Sequence, residues 1–319
     1  MLKKSSLGKI NEKWFCKAFC SLSIIIFALL CYYCLGGRGV NIGEITDEHI
    51  SFQKDSILFN LFLLGAVFVI LNLYGKLERF FVQRKRRNVL VAVVCVFAVL
   101  FGIYWVKTTC TYPQGDQEYI LVYARLFNEG NFSGLKDGEY LGLYPQQLGI
   151  VTFLRGMRLL FGNREYLMFQ YLTAVMLSAI IVSGTKVIRY ISRDNAKIEL
   201  FYLLFVFTCF PMYAYTPFIY GDLISLEVGM IAVWAFFSCL ERMRGWKLVW
   251  LGVSMGFAVF LRENMIILAI AMGIAVIIKL ICDSERRLHF CAMGVVIALG
   301  IIFFQAAIKL TYYNVSDPD

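Results

Sequence analysis

Proline is scarce, histidine scarcer, and charge of either sign is thin: the 319-residue chain holds five prolines, two histidines and 17% charged residues. Soluble domains carry about 25% charged and about 45–50% apolar residues. Here 60% are apolar, more than a water-soluble fold of this length could cover. Two histidines support no His-based metal site. No repeat at a fixed period and no low-complexity segment is present, so the apolar runs carry the organisation. The net charge of +9 does not mark a nucleic-acid binder, because the basic residues form short clusters between those runs rather than one basic domain.

About 20 apolar residues cross a hydrocarbon core of about 30 Å. Nine segments reach that length or nearly do: 15–35, 57–75, 89–106, 166–184, 199–217, 222–240, 248–261, 264–281 and 289–308. The expected fold is an all-α polytopic membrane protein of about nine transmembrane helices, with the boundary between the seventh and eighth left open by their shortness. The first run follows Lys3, Lys4, Lys9 and Lys13, as a signal peptide would. Its apolar core is too long for one, and it ends in Cys31-Tyr32-Tyr33-Cys34 with no small-residue cleavage site, so it reads as a retained helix. The ten cysteines lie mostly inside apolar runs, as small packing residues.

Basic loops set the orientation. With the amino terminus cytoplasmic, the inner side receives the clusters Lys3 to Lys17, Lys76 to Arg87, Lys186 to Lys197, Arg242 to Lys247 and Lys279 to Arg287, which hold most of the 31 Lys and Arg. The opposite arrangement would place Arg84-Lys85-Arg86-Arg87 outside. The expected organisation is an N-terminal two-helix segment, 1–88, and a transmembrane region, 89–319, in the cell membrane.

The outer connection 107–165 is far longer than the roughly 15 residues beyond which a loop is usually functional or disordered. Its tyrosines and phenylalanines, among them Tyr119, Tyr123, Tyr140 and Tyr144, argue against disorder. Ile150, Phe153, Leu154, Met157, Leu160 and Phe161 repeat with helical spacing, and Gly162 is a natural stop. That amphipathic helix is expected to lie in the outer interface, with Arg155 and Arg158 at the level of lipid phosphates. Arg155 and Arg158 as simple lipid anchors are the competing reading. Asn131-Phe132-Ser133 and Asn314-Val315-Ser316 match the glycosylation sequon.

Polar groups from separate elements converge on the outer side. Asp116 and Glu118 follow the third run; Asp222 begins the sixth after Tyr220-Gly221; Arg262, Glu263 and Asn264 interrupt the apolar stretch 248–281. Ionisable groups at such positions usually line a cavity or pathway. A carboxylate can take a proton from an acceptor hydroxyl, and an arginine can stabilise a phosphate leaving group. Asp116 and Asp222 as helix caps are the alternative. Glu227 lies one turn deeper than Asp222, facing either a neighbouring helix or the same cavity.

Asp116 early in the loop, then Tyr119, Ala124, Gly130 and Tyr140, then Tyr144-Pro145 opening an interfacial helix, together resemble the GT-C glycosyltransferases. The protein O-mannosyltransferase and aminoarabinose transferase branch, glycosyltransferase family 39, is the most similar. The resemblance covers roughly Val89 to Ile281 and implies an inverting sugar transferase that uses a polyprenyl-phosphate sugar donor on the outer face of the membrane. It implies Asp116 as catalytic base with Glu118 beside it, and a donor-phosphate site at Leu261-Arg262-Glu263-Asn264. Asp222, Tyr144, Arg155 and Arg158 join as substrate-binding candidates. No metal ligand is assigned, and a divalent cation stays open as a cofactor. Partners would be the bilayer, the lipid-linked donor and a glycan, lipid or protein acceptor, with no nucleic acid. Two helices precede the matching region, and Tyr144-Pro145-Gln146 replaces the His or Lys with two prolines of many members. The alternatives are a non-enzymatic lipid-linked-glycan transporter or envelope-assembly protein, and a truncated inactive relative.

Overall fold

The computed structural model describes residues 6–35, 38–41, 51–54 and 56–312. Contacts divide the chain into Met1–Arg79 and Phe80–Asp319. The first unit holds α1 (Ser6–Leu35), a two-stranded ribbon and most of α2 (Ile57–Phe81). The ribbon pairs β1 (Arg38–Asn41) antiparallel with β2 (Ser51–Lys54), Arg38 opposite Lys54. It is a small exception to the expected all-α architecture. Its four-residue strands, Arg-Gly-Val-Asn and Ser-Phe-Gln-Lys, are too short to show a readable alternation. The sequon at Asn314 and the side chains of Cys31 and Cys34 lie outside the described residues.

The second unit begins with α3 (Arg84–Thr109), which carries the chain to the start of the long loop. That loop is itself helical. It contains α4 (Asp116–Asn128), α5 (Tyr140–Leu143), a 3-10 turn (Pro145–Gln147) and α6 (Leu148–Phe161). A second 3-10 turn, Gly162–Arg164, leads into α7 (Glu165–Ile191). Then come α8 (Ala196–Thr208), α9 (Phe210–Ala214), α10 (Asp222–Glu241), α11 (Gly245–Leu261), a 3-10 turn (Glu263–Met265), α12 (Ile266–Cys282) and α13 (Arg287–Tyr312).

Eight of the nine segments read from the sequence fall on unbroken helix, yet among the described residues five helical stretches are long and apolar enough to cross a membrane. They are Arg84–Thr109, Pro145–Ile191, Asp222–Glu241, Glu263–Cys282 and Ser284–Tyr312. The expected segment 199–217 breaks at Cys209. Pro211 supplies no N–H and its ring opposes the preceding turn, so α8 ends and α9 starts afresh. The open boundary at 248–281 falls at Arg262, whose extended backbone (φ −150°, ψ 113°) ends α11.

The helix α7 is central, packing against α3, α8 and α10; α10 packs on α11, and α11 on α13. One apolar cluster joins Leu177 and Ile181 of α7 to Ala98 of α3 and Leu203 of α8. The other lies beneath the loop and includes Phe127, Ile150, Leu154, Phe169 and Met255. The face expected to lie in lipid is therefore divided: Ile150, Leu154 and Met157 are buried against protein, whereas Leu160 and Phe161 are exposed. The turn between α6 and α7 is clamped by Arg158, which donates to Glu165 at 2.5 Å and to Asn163 at 2.8 Å.

Lipid offers little hydrophobic drive between helices, so close packing and polar contacts must hold such a bundle. Gly252 and Gly256 sit one turn apart on α11, and a Cβ on Gly300 of α13 would overlap the Gly252 backbone. Backbone meets backbone there. At the end of the bundle remote from the loop, the fully buried Glu199 accepts bonds from Arg87 Nε at 2.9 Å and from Arg189 Nε and Nη2 at 2.9 and 2.6 Å. Arg87 also donates to Asp194 at 2.9 Å and to the Val82 carbonyl at 2.8 Å. This network ties α3, α7 and α8 together.

Candidate functional site

The loop end of the second unit collects polar side chains from elements far apart in sequence. Asp116 is the first residue of α4, after the N-cap Gly115 at φ +61°; no side chain caps this helix. Asp222 stands likewise at the start of α10, after Gly221 at φ +89°. Neither carboxylate is the cap residue, so both are free for other contacts.

Tyr220 joins them. Its hydroxyl donates to Asp116 Oδ2 at 3.0 Å, and its ring lies beneath the Arg262 guanidinium, 4.4 Å from centroid to Cζ. Arg262 Nε donates to Asp222 Oδ1 at 2.9 Å, and Nη1 to Gln147 Oε1 at 3.0 Å. Gln147 is buried at the base of α6, while Asp116 is exposed. Among the described residues, Arg262 Nη2 and Asp116 Oδ1 have no hydrogen-bond partner, which leaves a donor and an acceptor for a ligand. A cation on an aromatic face contributes about 0.5–2 kcal/mol depending on solvent exclusion, so Tyr220 both holds and orients the arginine.

The frame around this cluster is specific. Gly149 of α6 abuts the backbone of α11 so closely that a Cβ would overlap the Phe260 carbonyl oxygen. That contact sets Gln147 within reach of Arg262. The segment preceding Tyr220 is pinned twice: Gln117 Oε1 accepts from the Ile219 N–H at 2.9 Å, and Gln170 Nε2 donates to the Pro217 carbonyl at 2.6 Å. Gln170 also reaches the Thr111 carbonyl at 3.1 Å, fastening the start of the loop to the same point.

Beside Asp116 stands a stack of tyrosines. Tyr119 and Tyr140 lie parallel with centroids 5.0 Å apart, and Tyr144 meets Tyr140 at 5.2 Å. Burial first, then the neighbouring Tyr220 and Asp116, push the Tyr140 hydroxyl above its ordinary pKa. That hydroxyl is buried and makes no hydrogen bond of normal geometry among the described residues. Tyr220 is raised too, by burial and then by its bond to Asp116.

Of the residues singled out from sequence, Asp116, Asp222 and Arg262 come together, and Tyr144 borders them through Tyr140. Glu118 and Asn264 are exposed and make no side-chain hydrogen bond among the described residues. Arg155 and Arg158 are engaged elsewhere: Arg155 bonds Asn128 at 3.3 Å and lies over the Phe132 ring, and Arg158 is held by Glu165. Tyr220, Gln147 and Gln170 also belong to the cluster, although they stand in no motif. The sequence signals were a glutamine inside the apolar run of α7 and a tyrosine directly before Gly221-Asp222. Among the described residues no group of three or more His, Cys, Asp or Glu could hold a metal ion.

The family model described as a conserved hypothetical integral membrane protein matches residues 11–317. The chain belongs to that family. Its members' description makes the bilayer the surroundings of this integral membrane protein, consistent with the apolar helices of the second unit. No curated protein and no solved structure matches it.

Proposed function

We propose that this integral membrane protein transfers a sugar from a polyprenyl-phosphate donor to an acceptor on the outer face of the cell membrane. In this reading nine helices span the bilayer, the amino terminus is cytoplasmic, and the chain is a GT-C-like glycosyltransferase of the cell envelope. The acceptor O–H loses its proton to Asp116 while its oxygen bonds to the anomeric carbon. The anomeric C–O bond to phosphate breaks with inversion, and the leaving phosphate takes the negative charge beside Arg262. Asp222 and Gln147 fix the guanidinium and leave Nη2 for the phosphate. The exposed Tyr119 face is suited to the C–H face of a sugar.

The observation that supports this most is the Tyr220 bridge, which holds a carboxylate and a guanidinium on one surface with a free acceptor and a free donor. The test is transfer by purified protein from short polyprenyl-phosphate sugars. Asp116→Asn should stay folded and lose about 100-fold or more of the rate, the contribution of a positioned base. Near-normal transfer by Asp116→Asn would refute the assignment.

A lipid-linked-glycan transporter is the second reading, favoured by two features. The α8–α9 break lies within an apolar segment, and Glu227 is fully buried in α10 with both carboxyl oxygens unpartnered among the described residues. Loss of glycan movement in Glu227→Gln, with no sugar transfer by the wild type, would favour that reading.

A further inference from the structure

At the end of the second unit remote from Asp116 and Arg262 lies a cavity of about 590 Å³. Its wall is basic: Arg84 from the start of α3, Lys186 and Arg189 from the last turns of α7, and Arg193 from the turn that follows. Asp194 and Glu241 are the acids on the wall. Asp194 is already paired with Arg87, and Arg189 with Glu199. Arg84, Lys186 and Arg193 make no ion pair among the described residues. Lys186 instead lies 4.3 Å from the centroid of the Trp234 ring. Three cations without an ion-pair partner among the described residues thus face one opening.

The turn bearing Arg193 is built for this placement. Arg193 and Asp194 take consecutive left-handed conformations, φ 55° and 63°, which are disfavoured for residues with a side chain. The Arg87–Asp194 pair and the Asn195 side chain, which accepts from the Lys197 and Ile198 N–H groups at the start of α8, hold it.

Beside the basic cavity runs a second one of about 430 Å³, bounded by Ala179 and Val182 of α7, Ile231 of α10 and Trp250 of α11. Lys186 and Trp234 belong to both walls. The polar, cationic chamber and the apolar groove between α7, α10 and α11 therefore lie side by side, meeting at the Lys186–Trp234 wall. A soluble phosphate compound would use the chamber and leave the groove vacant. An anionic lipid uses both, with its phosphate among the cations and its hydrocarbon chain along the groove.

We propose that this paired cavity is a binding site for a phosphate-bearing anionic lipid, headgroup at Arg84, Lys186 and Arg193 and chain against Val182, Ile231 and Trp250. The site is separate from the loop-end cluster and stands whether or not that cluster transfers sugar.

Native mass spectrometry of the full chain in detergent tests it, with dioctanoyl phosphatidylglycerol, dioctanoyl phosphatidylcholine and glycerol 3-phosphate as probes. The expected result is retention of the phosphatidylglycerol at least about tenfold more tightly than either other probe, the effect of one charge-assisted contact or more. Arg84→Gln/Arg193→Gln changes two exposed side chains, leaves the Glu199 network intact, and should remove that preference. Val182→Trp fills the groove and should weaken the lipid while leaving glycerol 3-phosphate unchanged. Equal retention of the two lipids, or an unaltered preference in Arg84→Gln/Arg193→Gln, would overturn the proposal. Glycerol 3-phosphate binding as tightly as the lipid would overturn the lipid assignment in favour of a soluble phosphate ligand.

Discussion

Replacing Glu199 by glutamine removes a negative charge from between two arginines while keeping the side chain's volume and one acceptor oxygen. The Glu199 side chain is 0% exposed and that of Arg87 3%. Breaking a buried ion pair by neutralising one partner costs about 3–5 kcal/mol, because the remaining charge is left uncompensated. Arg87 keeps Asp194 and the Val82 carbonyl, and Arg189 is partly exposed, so the expectation lies at the low end, about 3 kcal/mol. Reversible unfolding in mixed micelles, titrated with a denaturing detergent and followed by circular dichroism, reads this difference. A companion variant sharpens the test. Arg87→Met/Arg189→Met/Glu199→Met removes all three charges of the Arg–Glu–Arg triad and should be more stable than Glu199→Gln, since apolar side chains can replace a buried ion-pair triad at little cost. A Glu199→Gln variant within about 0.5 kcal/mol of wild type, the range of ordinary surface substitutions, would refute the role given to this network.

Two further outcomes follow from the loop end. Gly149→Ala must push α6 away from the Phe260 carbonyl; a loss of about 1–3 kcal/mol, as for overpacking elsewhere, is expected in the same unfolding assay. Tyr140 has its folded pKa raised, so the stability it contributes is full below the unfolded value of about 10 and is lost as pH rises toward the folded value. Thermal stability of the wild type should therefore fall between pH 9 and 11 (roughly the window that the unfolded tyrosine value sets), and Tyr140→Phe should flatten that fall; an identical slope in both proteins would count against it.

What the sequence made legible was set by the range of each signal. Apolar runs are local, and all but 199–217 form unbroken helix. The charge at Arg262 is local too, and the helix breaks there. Pro211 is an equally local sign of a break, one that the apolar length of the run 199–217 masks. The Gly252-Val-Ser-Met-Gly256 spacing is likewise present in the sequence. Contacts across the fold were a different matter. Nothing near Tyr220 indicates that it would bond Asp116 on one side and carry Arg262 on the other. The outward-facing periodicity of Arg158 points to lipid phosphates; its partner Glu165 becomes reachable only through the turn at Gly162. Tyr144 could be associated with the site from its position beside Pro145, whereas Gln170 required knowing that α7 passes beneath the loop.

The glycine contact between α11 and α13 also bears on how the chain is assembled. Ribosomes deliver α11 before α13, with α12 between them, so the small-residue stripe of Gly252 and Gly256 is made before its partner exists. During that interval the stripe lacks the α13 backbone that covers it in the folded chain. Any other helix with a small-residue face could occupy it first. A pause in translation between α12 and α13 is therefore expected to lower the folded yield more than a pause after α13.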